Sequence, residues 1–174
     1  MFKELNTLEL FFESPIREFN VREMARLLKI SPATASSELK KMAAKGILVK
    51  RKERILDLYR ANLDNDLYKD LKIFYIIRRI KEIGLLDALN DFYLKPAIVL
   101  FGSSSYGLDT ETSDLDIFIL SENTKDFPSL KKFEDKMKRA IQIFAAKDVK
   151  DLKNQHLINN VLNGVKIQGK VKWT

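Results

Sequence analysis

Apolar and polar positions in the first sixty residues follow helical spacing and then alternate as they do in strands. Three helices are predicted, for FKELNTLELFFES, NVREMARLLKI and SPATASSELKKMAAKG. Asn20 and Ser31 are candidate N-caps, Pro32 occupies a first helical position, and Gly46 ends the third helix. A β-hairpin is predicted for ILVKRKERILDLYRA, with Lys50–Glu53 at its tip. The positions expected to face the core are Phe2, Leu5, Leu8, Phe12, Val21, Met24, Ala25, Leu28, Ala35, Leu39, Met42 and Ala43.

A run of helix formers without proline follows, over residues 64–94, and one side of it is strongly apolar. This pattern predicts a packed helical connector, which Gly84 divides into two helices. The aromatic pairs at 74–75 and 92–93 are assigned to the core rather than to a base-stacking surface. The predicted inner stripe consists of Leu67, Leu71, Phe74 and Ile77, widened by Ile73, Ile76, Ile80 and Ile83.

The last third of the chain combines apolar strands with two unexpected charges. AIVLF, residues 97–101, has the length and composition of a buried strand and is followed by GSSSYG. SDLDIFIL predicts a second strand, in which Asp114 and Asp116 share one face and the apolar residues at 115, 117 and 119 share the other. Aspartate is depleted from strands, so something must stabilise these two charges.

The residue types around the two aspartates suggest how they are stabilised. A strand that enters a Gly-Ser turn can present backbone N–H groups to a phosphate. Two neighbouring buried carboxylates repel each other, and a divalent cation such as Mg²⁺ or Mn²⁺ removes that conflict. The plainer alternative is that Gly-Ser is only a turn and that local hydroxyl groups satisfy the aspartates.

The stretch FGSSSYGLDTETSDLDIFIL resembles the signature of the nucleotidyltransferase superfamily that includes DNA polymerase β, and in particular the small minimal nucleotidyltransferases of prokaryotes. The resemblance covers roughly residues 95–169 and implies a mixed sheet flanked by helices. It also implies an NTP substrate, held by Gly102, Ser103 and Ser104, and a pair of Mg²⁺ ions. Asp114 and Asp116 would be the metal ligands and catalytic residues, and the NMP would pass to a hydroxyl on a protein or a nucleic acid.

The sequence departs from the family pattern at two positions. Active relatives carry a third carboxylate on a later strand, here RAIQIFAA, where the position is Gln142. Tyr106 stands where several relatives have an arginine. The second hypothesis is therefore a DNA-binding transcriptional regulator that binds a nucleotide without turnover. Asp148 and Asp151 are assigned as caps of the helix in KDVKDLKNQHLINNVL, His156 has no assigned role, and Trp173 is expected to pack a terminal strand.

Charge changes the interpretation of the first sixty residues. They hold 13 basic and 8 acidic residues in a chain of net charge +7. Together with the order helix, helix, turn, helix and basic hairpin, VREMARLLKISPATASSELKKMAAKGILVKRKE resembles the winged-helix regulators of bacteria and archaea. The resemblance implies double-stranded DNA as a partner; the alternative is a winged helix used for protein docking or dimerisation. The candidate DNA contacts are Thr34, Ser36, Ser37, Lys40, Lys41, Lys50, Arg51 and Lys52.

The whole chain of 174 residues is thus predicted to be an α+β protein with a winged helix-turn-helix over 1–62, a helical connector over 63–94 and a minimal nucleotidyltransferase domain over 95–174. It has no cysteine, which excludes disulfides and thiolate metal sites. The lack of a long apolar run predicts no membrane span, and a cytoplasmic location is expected. A homodimer is expected because DNA-reading helices commonly address paired half-sites. The family resemblance adds a helical toxin-like protein as a further partner.

Overall fold

The computed structural model describes residues 3–171, so Phe2 and Trp173 lie outside the described residues. Two compact units divide the chain, Met1–Tyr75 and Ile76–Thr174. Within the described part there are seven α-helices, two 3₁₀ helices and seven strands arranged in two sheets. The predicted α+β class is confirmed. Residues 3–171 contain no helix that is both long and apolar enough to cross a bilayer.

The N-terminal unit contains helices and a small antiparallel sheet, in which the strand Leu56–Ala61 lies between Phe19–Asn20 and Leu48–Glu53. The predicted N-caps are confirmed, because Asn20 Oδ1 accepts the N–H of Glu23 and Ser31 Oγ accepts the N–H of Thr34. The elements are α1 Lys3–Glu13, β1 Phe19–Asn20, α2 Val21–Leu28, α3 Pro32–Ala44, β2 Leu48–Glu53 and β3 Leu56–Ala61, followed by α4 Asp66–Glu82, within which the boundary between the two units falls.

The hairpin tip differs from the prediction. Glu53 pairs directly with Leu56, so the turn consists of Arg54 and Ile55, and the segment Lys50–Glu53 lies in strand β2. Tight two-residue turns need positive φ values, and Arg54 has a φ of 53°. The predicted tip was wrong because a run of charged residues does not by itself mark a turn, and cross-strand pairing extends through this one.

The buried face of α4 is also rotated from the predicted stripe. Leu67 and Phe74 are 47% and 43% exposed, so their assignment to the core was wrong. Tyr68 and Tyr75 are buried instead, with their rings 5.5 and 5.1 Å from the ring of Phe12. Their hydroxyl groups donate to the carbonyl oxygen of Phe11 and to Glu13. Buried tyrosines are stable when the hydroxyl has a partner, and periodicity of apolar residues alone does not register such partners.

The C-terminal unit is built on a mixed four-stranded sheet, whose strands lie in the order Ile141–Ala146 (β6), Leu115–Leu120 (β5), Ala97–Phe101 (β4) and Val165–Gln168 (β7). Strands β5 and β6 are parallel, whereas β4 is antiparallel to both β5 and β7, which agrees with the predicted mixed sheet. Gly84, with a φ of 79°, divides the two helices as predicted. The elements after α4 are α5 Leu85–Tyr93, β4 Ala97–Phe101, a 3₁₀ helix Gly102–Tyr106, β5 Leu115–Leu120, α6 Leu130–Met137, β6 Ile141–Ala146, a 3₁₀ helix Val149–Leu152, α7 Gln155–Leu162 and β7 Val165–Gln168.

The core beneath α7 explains where polar residues can lie on this sheet. Ile158 and Val161 of α7 pack in one cluster with Val99, Phe101 and Phe118 from the sheet. Because side chains alternate along a strand, the residue two before Phe118 lies on the same face, one step nearer the start of β5. That residue is Asp116, which is only partly buried. Asp116 therefore lies on the same face of the sheet as the core residues, next to the edge of the apolar cluster.

Candidate functional site

Asp114 and Asp116 lie together at the start of β5. Asp116 is the second residue of the strand and pairs in register with Phe101 of β4 on one side and Gln142 of β6 on the other. Asp114 immediately precedes the strand, so it is not inside it as predicted, but it shares the face of Asp116 by alternation. The two carboxylates thus lie between the end of β4 and the start of β6.

The turn after β4 is in direct contact with Asp116. Gly102 follows Phe101 with a φ of +67°, a left-handed conformation that favours glycine. A Cβ atom at Gly102 would collide with Oδ2 of Asp116. The glycine therefore serves two purposes, since it allows the backbone to turn and leaves the space that the carboxylate occupies.

Strand β6 supplies a neutral amide, and not a cation, as a partner for the two aspartates. Burial, and next the negative charge of Asp114, raises the pKa of Asp116 above its ordinary value. The amide Nε2 of Gln142 donates a hydrogen bond to Oδ2 of Asp114. Gln142, to which the family resemblance assigned the position of a third carboxylate, therefore holds Asp114 from β6.

A buried ion pair that no sequence pattern predicted lies close in sequence to these two aspartates. Asp109, which is fully buried, accepts a hydrogen bond of 2.9 Å from Nη1 of Arg139, whose side chain is 8% exposed. Asp109 lies in the loop between the 3₁₀ helix and β5, and Arg139 lies just before β6. An aspartate in a polar loop and an arginine after a helix carry no sequence pattern that would pair them.

The serines of the predicted phosphate turn have different surroundings. Gly102 and Ser103 are half-buried at the start of the 3₁₀ helix. Ser105 donates its hydroxyl to the carbonyl oxygen of Gly102, at 2.8 Å. Ser104 is fully buried, and its Oγ has no hydrogen-bond partner among the described residues. Ser104 therefore lies beneath the surface that a ligand would meet, while Gly102 and Ser103 remain at it.

The donor set is suited to a hard cation but is smaller than a full carboxylate cage. Among residues 3–171 there is no group of three or more His, Cys, Asp or Glu side chains that could hold a metal ion. The pair Asp114 and Asp116 offers oxygen ligands, which Mg²⁺ prefers, and their mutual repulsion is reduced by a cation. The amide oxygen of Gln142 could act as a further neutral ligand only if its hydrogen bond to Asp114 were rearranged.

The sequence also drew attention to Asp148, Asp151, Tyr106 and His156. Asp148 and Asp151 form a capping box, but on the 3₁₀ helix Val149–Leu152. Asn154 caps α7, so the assignment of the two aspartates to that helix was wrong. The reason is a break at residues 153–154 that separates one predicted helix into two. Tyr106 and His156 are exposed.

The predicted DNA contacts on α3 form an exposed polar surface in the N-terminal unit. Ser37, Lys40 and Lys41 are exposed and Ser36 is half-buried. Thr34 is half-buried, and its hydroxyl is hydrogen-bonded to Ser31 Oγ at 2.8 Å within the N-cap. Its side chain therefore already stabilises the start of the helix.

The predicted contacts on the hairpin are partly neutralised by acidic neighbours. Lys50 Nζ lies 2.8 Å from a carboxylate oxygen of Asp57, and Arg51 Nη2 lies 2.7 Å from Glu18 and 2.6 Å from Glu53. A hydrogen bond to Asp57 raises the pKa of Lys50. Lys52 is exposed in the same strand. The basic charge of the hairpin is thus less available than the sequence suggested.

A family model described as a nucleotidyltransferase domain matches residues 82–163. Among solved structures, a possible transcriptional regulator from Methanosarcina mazei Go1 is 17% identical, with a TM-score of 0.37, over 49% of this chain and 76% of that chain. No match was found among curated proteins. The matched range includes both the Gly-Ser turn and the aspartate pair, so this part of the chain is similar to a nucleotidyltransferase domain.

Proposed function

We propose that the C-terminal unit binds an NTP with Mg²⁺ or Mn²⁺ and transfers the NMP to a hydroxyl of a protein or a nucleic acid. The observation that carries this proposal is the close approach of Asp116 to Gly102, which joins the acidic pair to the Gly-Ser turn. Phosphate-binding backbone and metal-binding carboxylates are needed side by side for metal-assisted transfer. The matched family model supports the same function.

Each residue has a distinct part in this reaction. Gly102 and Ser103 would bind the triphosphate through backbone N–H groups at the start of the 3₁₀ helix. Asp114 and Asp116 would hold the metal, which supplies positive charge to the phosphate oxygens. The acceptor oxygen forms a bond to the α-phosphorus while the bond to the bridging oxygen breaks, and pyrophosphate leaves. Gln142 cannot accept the hydroxyl proton, which passes to solvent.

A second candidate function follows from Gln142. Its amide occupies the position in register with Asp116 and donates to Asp114, where a charged base would help to activate a hydroxyl. The same unit could therefore bind a nucleotide without transferring it. In that case the chain is a DNA-binding regulator whose nucleotidyltransferase domain senses a nucleotide.

Both candidates include binding of double-stranded DNA by the N-terminal unit. Helices α2 and α3 with the β2–β3 hairpin follow the element order of a winged helix-turn-helix, and α3 exposes Ser37, Lys40 and Lys41. Exposed lysines on the helix that follows the turn suit contacts to phosphates, and short hydroxyl side chains suit contacts to base edges.

The transfer reaction is tested by incubating the full chain with each labelled NTP, Mg²⁺ or Mn²⁺ and a cell lysate as the source of acceptors. Label transfer that is abolished in Asp114→Asn/Asp116→Asn supports the enzyme. The matched control is Asp87→Asn/Asp91→Asn, which removes the same charge from exposed positions on α5 and should leave transfer unchanged. Metal-dependent NTP binding without transfer favours the second candidate, and the absence of both rejects nucleotide binding at this site.

DNA binding is tested separately with duplex DNA over a range of salt concentrations. Lys40→Ala/Lys41→Ala should weaken binding and reduce the slope of log K against log salt by about 1 for each phosphate that the variant no longer neutralises. Lys166→Ala/Lys170→Ala, which removes two exposed lysines from the other unit, is the control. Equal weakening in both variants would mean that α3 is not the DNA-binding element.

A further inference from the structure

Strand β6 lies at one edge of the mixed sheet. The strand order β6-β5-β4-β7 leaves β6 with a single neighbour, and within residues 3–171 it pairs only with β5. The pairing is parallel and regular from Leu115 and Ile141 to Leu120 and Ala146. The outer side of β6 therefore carries a row of backbone groups that a further strand could use.

Hydrogen bonds show which residues of β6 face outward. The carbonyl oxygens of Ala140 and Ala146 accept N–H groups from the chain of β5, so the even-numbered residues bond inward. The N–H of Ile141 points the other way and donates to Glu134 Oε1. By alternation, Ile143 and Ala145 direct both N–H and C=O to the outer edge.

The composition of this edge lacks the features that normally block further pairing. The strand IQIFAA contains no charge, proline or glycine. Edge strands are usually protected by such residues, by bulges or by being short. Ile143, Phe144 and Ala145 are each only half-buried. An uncharged edge of six residues is best matched by a strand that is itself uncharged and mostly apolar.

We propose that β6 pairs antiparallel with β6 of a second copy of this chain, around a two-fold axis perpendicular to the sheet. Such an axis keeps the faces of both sheets on the same side, so residues that face each other must share a face. In the resulting register, Phe144 lies opposite Phe144 of the second copy, and Ile143 lies opposite Ala145 of the second copy.

This register uses the N–H and C=O groups of both Ile143 and Ala145. The two Ile143–Ala145 pairs are hydrogen-bonded pairs, which together form about four backbone hydrogen bonds. A shift that brought Ile141 into the ladder would require its N–H, which is already bonded to Glu134. The Phe144 pair falls at a closely spaced position, where aromatic side chains stabilise cross-strand pairing.

Charged residues of both signs flank β6. Lys138 precedes the strand, while Asp148, Lys150 and Asp151 follow it. Lys147 is ion-paired with Glu122 within its own chain. Antiparallel pairing brings the mixed charges at 148–151 of one copy towards Lys138 of the other, whereas parallel pairing would place each charge beside its own copy.

The expected assembly is one continuous sheet across two copies, with both acidic sites on the same face. The interface does not depend on nucleotide transfer or DNA binding, so it can be right when either of those proposals is wrong. Gln142 would lie opposite Ala146 of the second copy, which places the interface beside the residue that holds Asp114.

The absence of cysteine from the chain permits a direct test. In Phe144→Cys, two symmetric thiols would lie at a closely spaced pair, within the distance that a disulfide requires. Mild oxidation should give a covalent dimer, read by electrophoresis without reductant. The matched control is Lys166→Cys, an exposed position on the opposite edge strand β7, which should cross-link only slowly. Equal rates in the two variants would overturn the proposal.

A second variant removes the interface without touching the bonds between β5 and β6. Proline at Ala145 eliminates an N–H that faces outward, so the inner ladder is preserved. Sedimentation should show that the wild-type chain is a dimer and that Ala145→Pro is a monomer with an unchanged circular dichroism spectrum. A monomeric wild type, or a dimer that persists in a folded Ala145→Pro variant, would contradict the inference.

Discussion

Two acidic regions of the C-terminal unit stabilise a buried or partly buried carboxylate in different ways. Asp109 is fully buried and is paired with the guanidinium of Arg139 at 2.9 Å. Asp116 is partly buried beside Asp114, and the pKa of its carboxyl group is raised, first by burial and then by that neighbouring charge. The protein supplies a cation to the first region and a neutral amide, from Gln142, to the second.

The difference indicates what each region is for. A buried carboxylate with its own arginine is a structural element, because its charge is compensated before any ligand arrives. Two carboxylates that still repel each other in the folded state would be stabilised by an added cation. Such uncompensated charge is typical of functional sites. Four substitutions test this contrast.

Arg139→Met should be the most damaging of these changes. It leaves Asp109 buried without the guanidinium, and removal of one partner of a buried ion pair costs about 3 kcal/mol of the free energy of unfolding. Urea denaturation measures it. Replacing both residues, in Asp109→Leu/Arg139→Met, should recover much of that stability. A change below about 1 kcal/mol in the single variant would mean that the pair is not a structural element.

Gly102→Ala should destabilise the chain by about 2 kcal/mol, because it combines left-handed strain with a collision against Asp116. Gly84→Ala is a matched control, since Gly84 has a φ of +79° and nothing within 4 Å of the added methyl group. The difference between the two in denaturant unfolding reports the collision with Asp116. Equal destabilisation would show that the turn and the carboxylate are independent.

Gln142→Glu should lower the free energy of unfolding by about 1 kcal/mol in the absence of divalent cations, since it replaces the hydrogen bond to Asp114 by repulsion. The same variant should be stabilised more by Mg²⁺ than the wild type, because binding to the folded state adds stability. Thermal unfolding with and without Mg²⁺ compares the two proteins. An identical Mg²⁺ response would argue against a metal at this position.

Asp116→Asn should produce the smallest change, a gain in stability at neutral pH without metal. The carboxyl group of Asp116 has a raised pKa in the folded chain, so the unfolded chain ionises first as pH rises from the ordinary value of 3.8. Between pH 3.8 and the raised pKa of Asp116, the free energy of unfolding of the wild type therefore falls relative to that of the variant. Unfolding measured across pH should show this divergence, whereas Asp87→Asn on the surface should not.

Much of the fold near the site could be predicted from short-range pattern. The apolar run before Gly102, the alternation around Asp116 and the strand that carries Gln142 all lie where the residues indicated. Each of these depends on neighbours along the chain, which alternation and turn chemistry describe well. The two N-caps of the N-terminal unit were predicted for the same reason.

Pairing between distant residues was not predictable. The face of α4 was misassigned because Tyr68 and Tyr75 are stabilised by Phe11, Phe12 and Glu13, far away in sequence. The hairpin tip was misassigned because strands β2 and β3 remain paired as far as Glu53 and Leu56. The exposed charge expected on the hairpin is reduced by Glu18, which no local pattern connects to Arg51.

The order of residues along the chain already specifies which groups can do chemistry: a Gly-Ser turn, two aspartates on one face of a strand, and a glutamine on the strand after them. How these groups meet depends on the folded chain. The parallel register of β5 and β6 sets Gln142 against Asp114, and the turn at Gly102 brings backbone against Asp116. Local sequence sets dihedral preferences and periodicity, whereas long-range pairing depends on which distant surfaces bury together, and that is a property of the whole packed chain.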